Sequence, residues 1–160
     1  MKNDRTLPGF TNEQTSVDQK ESARNGEIKT IKRFRDFGFH VFDYARNQLR
    51  YDLVVAKDGK QFRLQVKNSE NMKHWVIQAG RGKIDNPKNW HEYTKEDTDA
   101  MVLISGDDYW IIPIEEVHGI GVHAKVSDIS KRFPQYQNNF ALTDTCTTEI
   151  ESPSFIGLFV

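Results

Sequence analysis

Apolar side chains recur at three-residue steps in one stretch near the start of the chain. They are Ile28, Ile31, Phe34 and Phe37. Because this spacing keeps side chains near one side of a helix, and because Ser22 and Gly38 stand where an N-cap and a C-cap glycine belong, the pattern predicts an amphipathic helix from residue 22 to residue 37. Glu27 then lies along the edge of the face that should be buried. Its simplest interpretation is a first-turn acid favoured by the helix dipole.

The segments on either side of this helix are different in character. Residues 1 to 21 are polar, include Pro8 and Gly9 and show no sustained period, so we expect a flexible polar arm. A short extended run follows the helix at residues 39 to 44. Two further strands are predicted at residues 100 to 104 and 109 to 112.

Residues 50 to 67 read RYDLVVAKDGKQFRLQVK, two β-rich runs around Asp58-Gly59. An Asp-Gly pair between such runs predicts a two-residue type I′ hairpin. That turn fixes a register in which Leu53 faces Leu64 and Asp52 faces Gln65. One face of the hairpin is then apolar and should join the core: Tyr51, Leu53, Val55, Phe62, Leu64 and Val66. The other face carries Arg50, Asp52, Arg63, Gln65 and Lys67, together with the small Val54 and Ala56.

Length and composition narrow the class of protein. A chain of 160 residues has room for one domain, and a single cysteine, Cys146, excludes an intramolecular disulfide and a thiolate zinc cage. No apolar run approaches the roughly 18 residues of a membrane span, and the N-terminus lacks the apolar stretch of a signal peptide, so we expect a cytoplasmic protein with no membrane contact. The elements together predict an α/β fold with a mixed central sheet flanked by helices. Residues 22 to 117 would form its core, and residues 118 to 160 a C-terminal extension of the same domain.

The net charge of -1 conceals two oppositely charged parts of the chain. Residues 20 to 88 hold 16 Lys and Arg against 8 Asp and Glu, whereas the remainder holds 6 against 15. A local excess of cations is expected for a protein that binds a polyanion. The solvated face of an ordinary domain explains it equally well.

Candidate chemistry lies on the polar face of the hairpin. Asp52 is a suitable ligand for Mg²⁺, and the side-chain oxygen of Gln65 and the carbonyl of Val66 would add two more oxygen ligands. A metal held there polarises a phosphoryl oxygen and acidifies a bound water, while Lys67 positions that water or stabilises developing charge. This set suits hydrolysis of a phosphodiester. A surface ion pair on a solvated hairpin face is a simpler explanation of the same residues, and both remain open on these residues alone.

Three segments, in order, resemble the PD-(D/E)XK endonucleases associated with group I introns, which are homing endonucleases. The segments read GEIKTIKRFRDFGFHVF, RYDLVVAKDGKQFRLQVKNS and DAMVLISGDDYWIIPIEEV, and the likeness spans about residues 22 to 117. The resemblance implies a PD-(D/E)XK nuclease-like core with a metal-binding Asp at Asp52, a Gln in place of the usual acid at Gln65, a catalytic Lys at Lys67 and a supporting helix Glu at Glu27. Tyr51 stands where the motif's name has Pro.

The expected function is therefore a Mg²⁺-dependent DNA endonuclease of the homing type. Two alternatives remain: a structure-selective nuclease resembling Holliday-junction resolvases, and a non-catalytic DNA-binding protein on a decayed nuclease fold, since Gln65 brings no negative charge to a metal. Cutting both strands of a duplex most simply uses two active sites, so we expect a homo-oligomer, a dimer or tetramer. The cations expected to contact double-stranded DNA are Arg50, Arg63, Arg81, Lys83 and Lys88.

Overall fold

The computed structural model of this chain describes residues 12–43, 50–69, 71–80 and 90–142. Within these ranges the helices are α1 (Asn12–Asp36), α2 (Ile114–Val117) and α3 (Val126–Arg132), with a 3-10 helix at Pro134–Tyr136. The strands are β1 (His40–Asp43), β2 (Leu53–Lys57), β3 (Lys60–Ser69), β4 (His74–Val76), β5 (Ala79–Gly80), β6 (Trp90–His91), β7 (Ala100–Ser105), β8 (Asp108–Pro113) and β9 (His123–Lys125). No helix in the described part of the chain combines the length and the apolar composition that a membrane span requires.

Five of the strands form one sheet in the order β1-β2-β3-β7-β8. Strands β3 and β7 run parallel and the other neighbours run antiparallel. The pairs β4-β9 and β5-β6 form two smaller sheets. This arrangement confirms the predicted α/β class with a mixed central sheet.

Both faces of the central sheet are covered, which explains why β7 is apolar at nearly every position. On β7, Val102 and Ile104 join the core beneath α1, whereas Met101 and Leu103 join a second core on the opposite face. The first core also contains Phe34, Leu53, Val55, Phe62, Leu64, Tyr109 and Phe140. The second contains Trp75, Ile77, Tyr93, Trp110, Ile112, Ile129 and Phe133.

The Asp-Gly hairpin forms with its predicted turn. Asp58 and Gly59 both have positive φ, 53° and 78°, as a type I′ turn requires. The predicted register holds from the pair Lys57 and Lys60 to the pair Leu53 and Leu64. It changes at Asp52, whose N–H donates to the carbonyl of Leu64 at 2.8 Å. Two residues, Asp52 and Leu53, therefore stand opposite Leu64, which is the arrangement of a β-bulge, a feature that often re-aims a side chain beside an active site.

Helix α1 begins earlier than its apolar pattern predicts. Residues 12 to 21, which we expected in a flexible polar arm, form its first turns, and residues 1 to 11 lie outside the described residues. A helix that is already nucleated by packing extends at little cost through residues such as Glu, Gln and Lys, so no apolar period is needed. Ser22 is accordingly an internal residue of the helix and not its N-cap.

The buried row of α1 also differs from the predicted one. Gly26, Thr30 and Phe34 face the sheet, whereas Ile28 is 51% exposed and Phe37 is 47% exposed. A three-residue step turns the helix back by about 60°, so four such residues spread over half of its circumference, while four-residue steps drift less. The small residues Gly26 and Thr30 leave no apolar signal in the sequence, although they form the contact face.

The end of α1 is fixed by a Schellman motif, as Gly38 suggested. The N–H of Gly38, which has φ 82°, donates to the carbonyl of Arg35 at 3.0 Å, and the N–H of Phe39 donates to the carbonyl of Phe34 at 3.1 Å. The rings of Phe34 and Phe39 then meet edge to face, with centroids 5.1 Å apart. This turn delivers the chain into β1, at the edge of the central sheet.

Residues 118 to 142 of the predicted C-terminal extension pack on both cores. Strand β9 pairs with β4, Ile129 of α3 enters the second core, and Phe140 enters the first. Residues 143 to 160 lie outside the described ranges.

We predict that Gly26→Ala destabilises the protein. A Cβ at this position would lie 2.8 Å from the Cβ of Asn68 on β3, so helix and strand would have to move apart. We expect the free energy of unfolding to fall by about 1 to 3 kcal/mol, against a gain of about 0.5 to 1 kcal/mol in helix propensity. Urea denaturation measures the change. Asn25→Ala, at the exposed neighbouring position, is the control, and equal stability of the two variants would contradict the close contact.

Candidate active site

The bulge at Asp52 directs its carboxylate back onto β3. Oδ2 of Asp52 accepts hydrogen bonds from the backbone N–H of Val66 at 2.8 Å and from Nε2 of Gln65 at 2.6 Å. Gln65 is itself buried, with 7% of its surface exposed. Asp52 and Gln65 are thus in contact, and the hairpin face that carries them is not the solvated surface that the simpler interpretation required.

The environment of Asp52 opposes its negative charge. The pKa of Asp52 is raised to about 6, mainly by burial, and the charges of Glu27 and Asp43 act in the same direction. The Val66 N–H bond and the nearby ammonium of Lys67 act in the opposite direction but do not cancel the effect of burial. An Asp that titrates near neutral pH beside other acids is the kind of group that a cation would stabilise in its charged form.

Lys67 lies two residues beyond Gln65 along β3, so both side chains are on the same side of the strand. Burial lowers the pKa of its ammonium, and the charge of Asp52 raises it in part. Nζ of Lys67 lies 3.5 Å from the hydroxyl of Tyr93 and 5.3 Å from the centre of its ring. Burial likewise raises the pKa of Tyr93 to about 12, so this hydroxyl stays protonated at neutral pH.

Glu27 lies on α1 beside the site and is linked to two residues that the sequence did not indicate, Arg24 and Asp43. Its Oε2 lies 2.7 Å from the guanidinium of Arg24, which also binds Asp43 of β1 at 2.8 Å. These bonds, with Asp43 the larger contribution, raise the pKa of Arg24. Arg24 and Glu27 are three apart on one helix, a spacing that could have indicated their contact, but the approach of Asp43 depends on how β1 returns to the helix.

The position of α1 over the site is fixed by Asn68. Its Nδ2 donates to the carbonyl and to Oγ of Ser22, at 3.2 and 3.3 Å. One turn further along the helix, Gly26 touches the same asparagine. Glu27 is therefore placed by contacts to β3, the strand that also carries Gln65 and Lys67.

Arg63, which we expected to contact DNA, has a different role in the structure. Its guanidinium binds the carboxylate of Asp99 and the carbonyls of Lys95 and Glu96, at distances of 2.6 to 3.2 Å. The side chain of Asp99 is fully buried. A buried carboxylate needs a cation or several donors to compensate its charge, and Arg63 supplies them to Asp99. Arg63 therefore forms an internal ion pair, contrary to the prediction that it contacts DNA.

The other predicted DNA contacts fall into two groups. Arg50 is exposed, and its Nε lies 3.5 Å from the carboxylate of Asp97, an arrangement that leaves the guanidinium accessible. Arg81, Lys83 and Lys88 lie outside the described residues.

The donor atoms around Asp52 fit a hard cation. A carboxylate, an amide oxygen and a backbone carbonyl are the ligand types of Mg²⁺, whereas thiolates and imidazoles would suit other metals. Across the described ranges, no three His, Cys, Asp or Glu side chains come together as a metal cluster. In the structure it is the amide nitrogen of Gln65 that meets Asp52. Ligation by Gln65 therefore requires the amide to turn its oxygen toward the site, and the low ligand charge implies weak binding.

Comparisons with known proteins identify the family and the fold. Residues 17–143 match a family model described as PD-(D/E)XK endonuclease, which confirms the family resemblance. Among solved structures, the chain resembles a bacterial homing endonuclease, I-Ssp6803I, with a TM-score of 0.59 and 22% sequence identity. That match covers 74% of this chain and 88% of the other. No curated protein matches the chain.

We predict that Asp52→Asn makes the protein more stable at neutral pH when metal is chelated. Because the folded pKa of about 6 exceeds the unfolded value of about 3.9, folding favours the protonated acid. The protonated carboxyl of Asp52 therefore adds to the free energy of unfolding in full below about pH 4, and this contribution is lost as the pH rises through about 6. Asn avoids that loss while it still accepts both hydrogen bonds. We expect a gain of roughly 1 to 3 kcal/mol at pH 7.5 and little at pH 4.5, measured by denaturant unfolding.

The control for this comparison is Asp58→Asn in the exposed hairpin turn. Both substitutions remove one carboxylate and keep its shape. If Asp52→Asn changes the free energy of unfolding by the same amount at both pH values, the charge of Asp52 does not destabilise the fold.

Proposed function

The chain belongs to the PD-(D/E)XK endonuclease family, and on that premise we propose that it is a Mg²⁺-dependent, site-specific DNA endonuclease of the homing type. The observation that carries the proposal is the contact of Asp52 with Gln65 at the bulge, with Lys67 on the same strand face and Glu27 close by on α1. The raised pKa of Asp52 means that its neighbours do not fully compensate its charge. A cation that binds during function would compensate it.

Within this proposal, Asp52, Gln65 and the carbonyl of Val66 hold the metal. Bound Mg²⁺ would supply a Lewis acid and an acidified water for attack on phosphorus. Asp52 contributes the negative charge, and the N–H of Val66 keeps its carboxylate oriented. Glu27 adds a second negative charge at the edge of the site, where Arg24 fixes its position.

Lys67 acts on the substrate side. Its ammonium is partly buried, so its attraction for a phosphate oxygen is screened less than that of an exposed lysine. In this position it would orient the attacking water or stabilise the charge that develops on the phosphate. Arg50 is exposed and lies two residues before Asp52 in the chain, so it is available for a DNA phosphate contact.

The homing assignment and the partners are supported by the likeness to I-Ssp6803I, which its description calls a homing endonuclease. We extend to this chain a double-stranded DNA substrate. Two cuts on antiparallel strands are most simply made by two symmetry-related sites, which supports a homo-oligomer. The decisive experiment is cleavage mapping with Mg²⁺ on a randomised linear DNA library, with four-way junctions in parallel. Cutting at one defined sequence supports the homing type, while preference for junctions would replace it with a resolvase-like activity.

We predict that Asp52→Asn and Lys67→Met each lower the cleavage rate by at least a few hundredfold, on the order of 3 to 4 kcal/mol of transition-state stabilisation. Folding should survive both. Cleavage of a DNA that carries the mapped site measures the rate, and DNA affinity is measured on the same molecules. Asp58→Asn and Lys60→Met, in and beside the exposed hairpin turn, are the matched controls. A parent rate in either site variant would place the active site elsewhere, and an inactive parent would favour the non-catalytic alternative.

We predict that two substitutions of Gln65 move Mg²⁺ affinity in opposite directions. Gln65→Glu places a second carboxylate beside Asp52, so Mg²⁺ should bind more tightly because ligand charge raises affinity for a hard cation. Gln65→Leu keeps the volume but removes the oxygen, so binding should weaken and activity should fall even at high Mg²⁺. Calorimetric titration of the parent and both variants tests this. Equal affinities in all three would exclude Gln65 as a ligand.

A further inference from the structure

Tyr93 is a buried polar residue that the proposed chemistry does not yet use. It belongs to the second core and has 8% of its surface exposed. Its hydroxyl nevertheless reaches across to the site, where Nζ of Lys67 donates to it at 3.5 Å. The ammonium lies 5.3 Å from the centre of the ring, and the two distances together place it at the hydroxyl end of the ring. Lys67 is thus met by the hydroxyl of one tyrosine.

The backbone on both sides of Tyr93 is fixed by neighbouring segments. The carbonyl of Tyr93 accepts a hydrogen bond from Nε2 of His118 at 2.8 Å. The side-chain carboxylate of the preceding residue, Glu92, accepts a hydrogen bond from the N–H of Gly119 at 2.8 Å. After Tyr93, Thr94 donates its N–H to the carboxylate of Asp97 at 2.9 Å. The backbone that carries the ring is therefore held by residues 118 and 119 and, after Tyr93, by the turn from Thr94 to Asp97.

A lysine at an active site needs such a partner. Its four-carbon stem has many rotamers, and an ammonium that wanders by 1 Å loses much of its effect on a reacting group. We propose that Tyr93 is a positioning residue, which holds the ammonium of Lys67 at the site through its hydroxyl. The inference rests on the proposed function, because it assigns Tyr93 a role only through Lys67.

Two other roles for Tyr93 give different expectations. A tyrosine that stacks on a DNA base would need an exposed ring, and this ring is buried. A tyrosine that only fills the core would matter for stability, and its hydroxyl would have no specific effect on the rate.

The test removes the hydroxyl and keeps the ring. In Tyr93→Phe we expect the single-turnover cleavage rate at saturating DNA to fall by roughly three- to tenfold, about the loss of one net hydrogen bond. The dissociation constant for DNA should not change, because Lys67 keeps its charge. Tyr136→Phe is the matched control, since it removes a hydroxyl that donates to Glu116 at 2.8 Å, away from the site. It should cleave at the parent rate.

A second measurement reports on Lys67 directly. The Cε and Nζ nuclear magnetic resonance signals of Lys67, assigned by their loss in Lys67→Met, should show a more mobile ammonium in Tyr93→Phe than in the parent or in Tyr136→Phe. A merely structural tyrosine would lower the melting temperature without changing the mobility of this one ammonium.

The outcomes separate the two proposals. If the parent cleaves and Lys67→Met does not, but Tyr93→Phe matches the parent in rate and in Lys67 mobility, the positioning role is wrong and the nuclease proposal stands. If Tyr93→Phe loses rate only in proportion to lost stability or DNA affinity, the positioning role is also wrong. If the parent cleaves no DNA with any divalent metal, the proposed function fails and the inference fails with it.

Discussion

The rest of this site depends on a buried carboxylate whose hydrogen-bond donors, within the described residues, are all neutral. Asp52 is placed by a bulge, bonded by Val66 and Gln65, and surrounded by further negative charge from Glu27 and Asp43. Burying a charge in this way is unfavourable unless something compensates it. The raised pKa of Asp52 expresses that cost. The features around it, from the buried amide of Gln65 to the ammonium of Lys67, either reduce the cost or make use of it.

The contrast with Asp99 shows that the cost is not inherent in the fold. Asp99 is also buried beside β3, but the guanidinium of Arg63 meets both of its oxygens. The partners of the two acids lie two positions apart on β3. Asp99 is bound by the cation Arg63, and Asp52 by the amide of Gln65. A protein that required only stability could have an arginine-like partner at both places. The amide at position 65 leaves the charge of Asp52 available, as the proposed cation site requires.

The sequence predicted those parts of the structure that depend on local chemistry. The Asp-Gly turn set the hairpin register, and the alternating face of β2 and β3 identified the first core. It could not reveal contacts made by small or polar residues across distant segments. Gly26 carries no apolar signal, so the contact face of α1 was misplaced, and the bulge at Asp52 has no residue type of its own. Arg63 was misassigned for a similar reason: its partner Asp99 is 36 residues away, and only the pairing of β3 with β7 brings them together.

The two cores act on the site from opposite sides of the sheet. The first core supports α1, and the close approach at Gly26 brings Glu27 near enough to raise the pKa of Asp52. The second core supports Tyr93, which contacts Lys67, and the charge of Lys67 lowers the same pKa. Strand β3 lies between them and carries Gln65, Val66 and Lys67 in consecutive positions, so its pleat sends alternate groups toward each core. A shift of either layer would therefore change one half of the charge balance around Asp52 and leave the other half in place. The two layers thus hold Glu27 and Lys67 independently of each other, and Gln65 is the one proposed ligand that must still turn, because its amide nitrogen and not its oxygen meets Asp52.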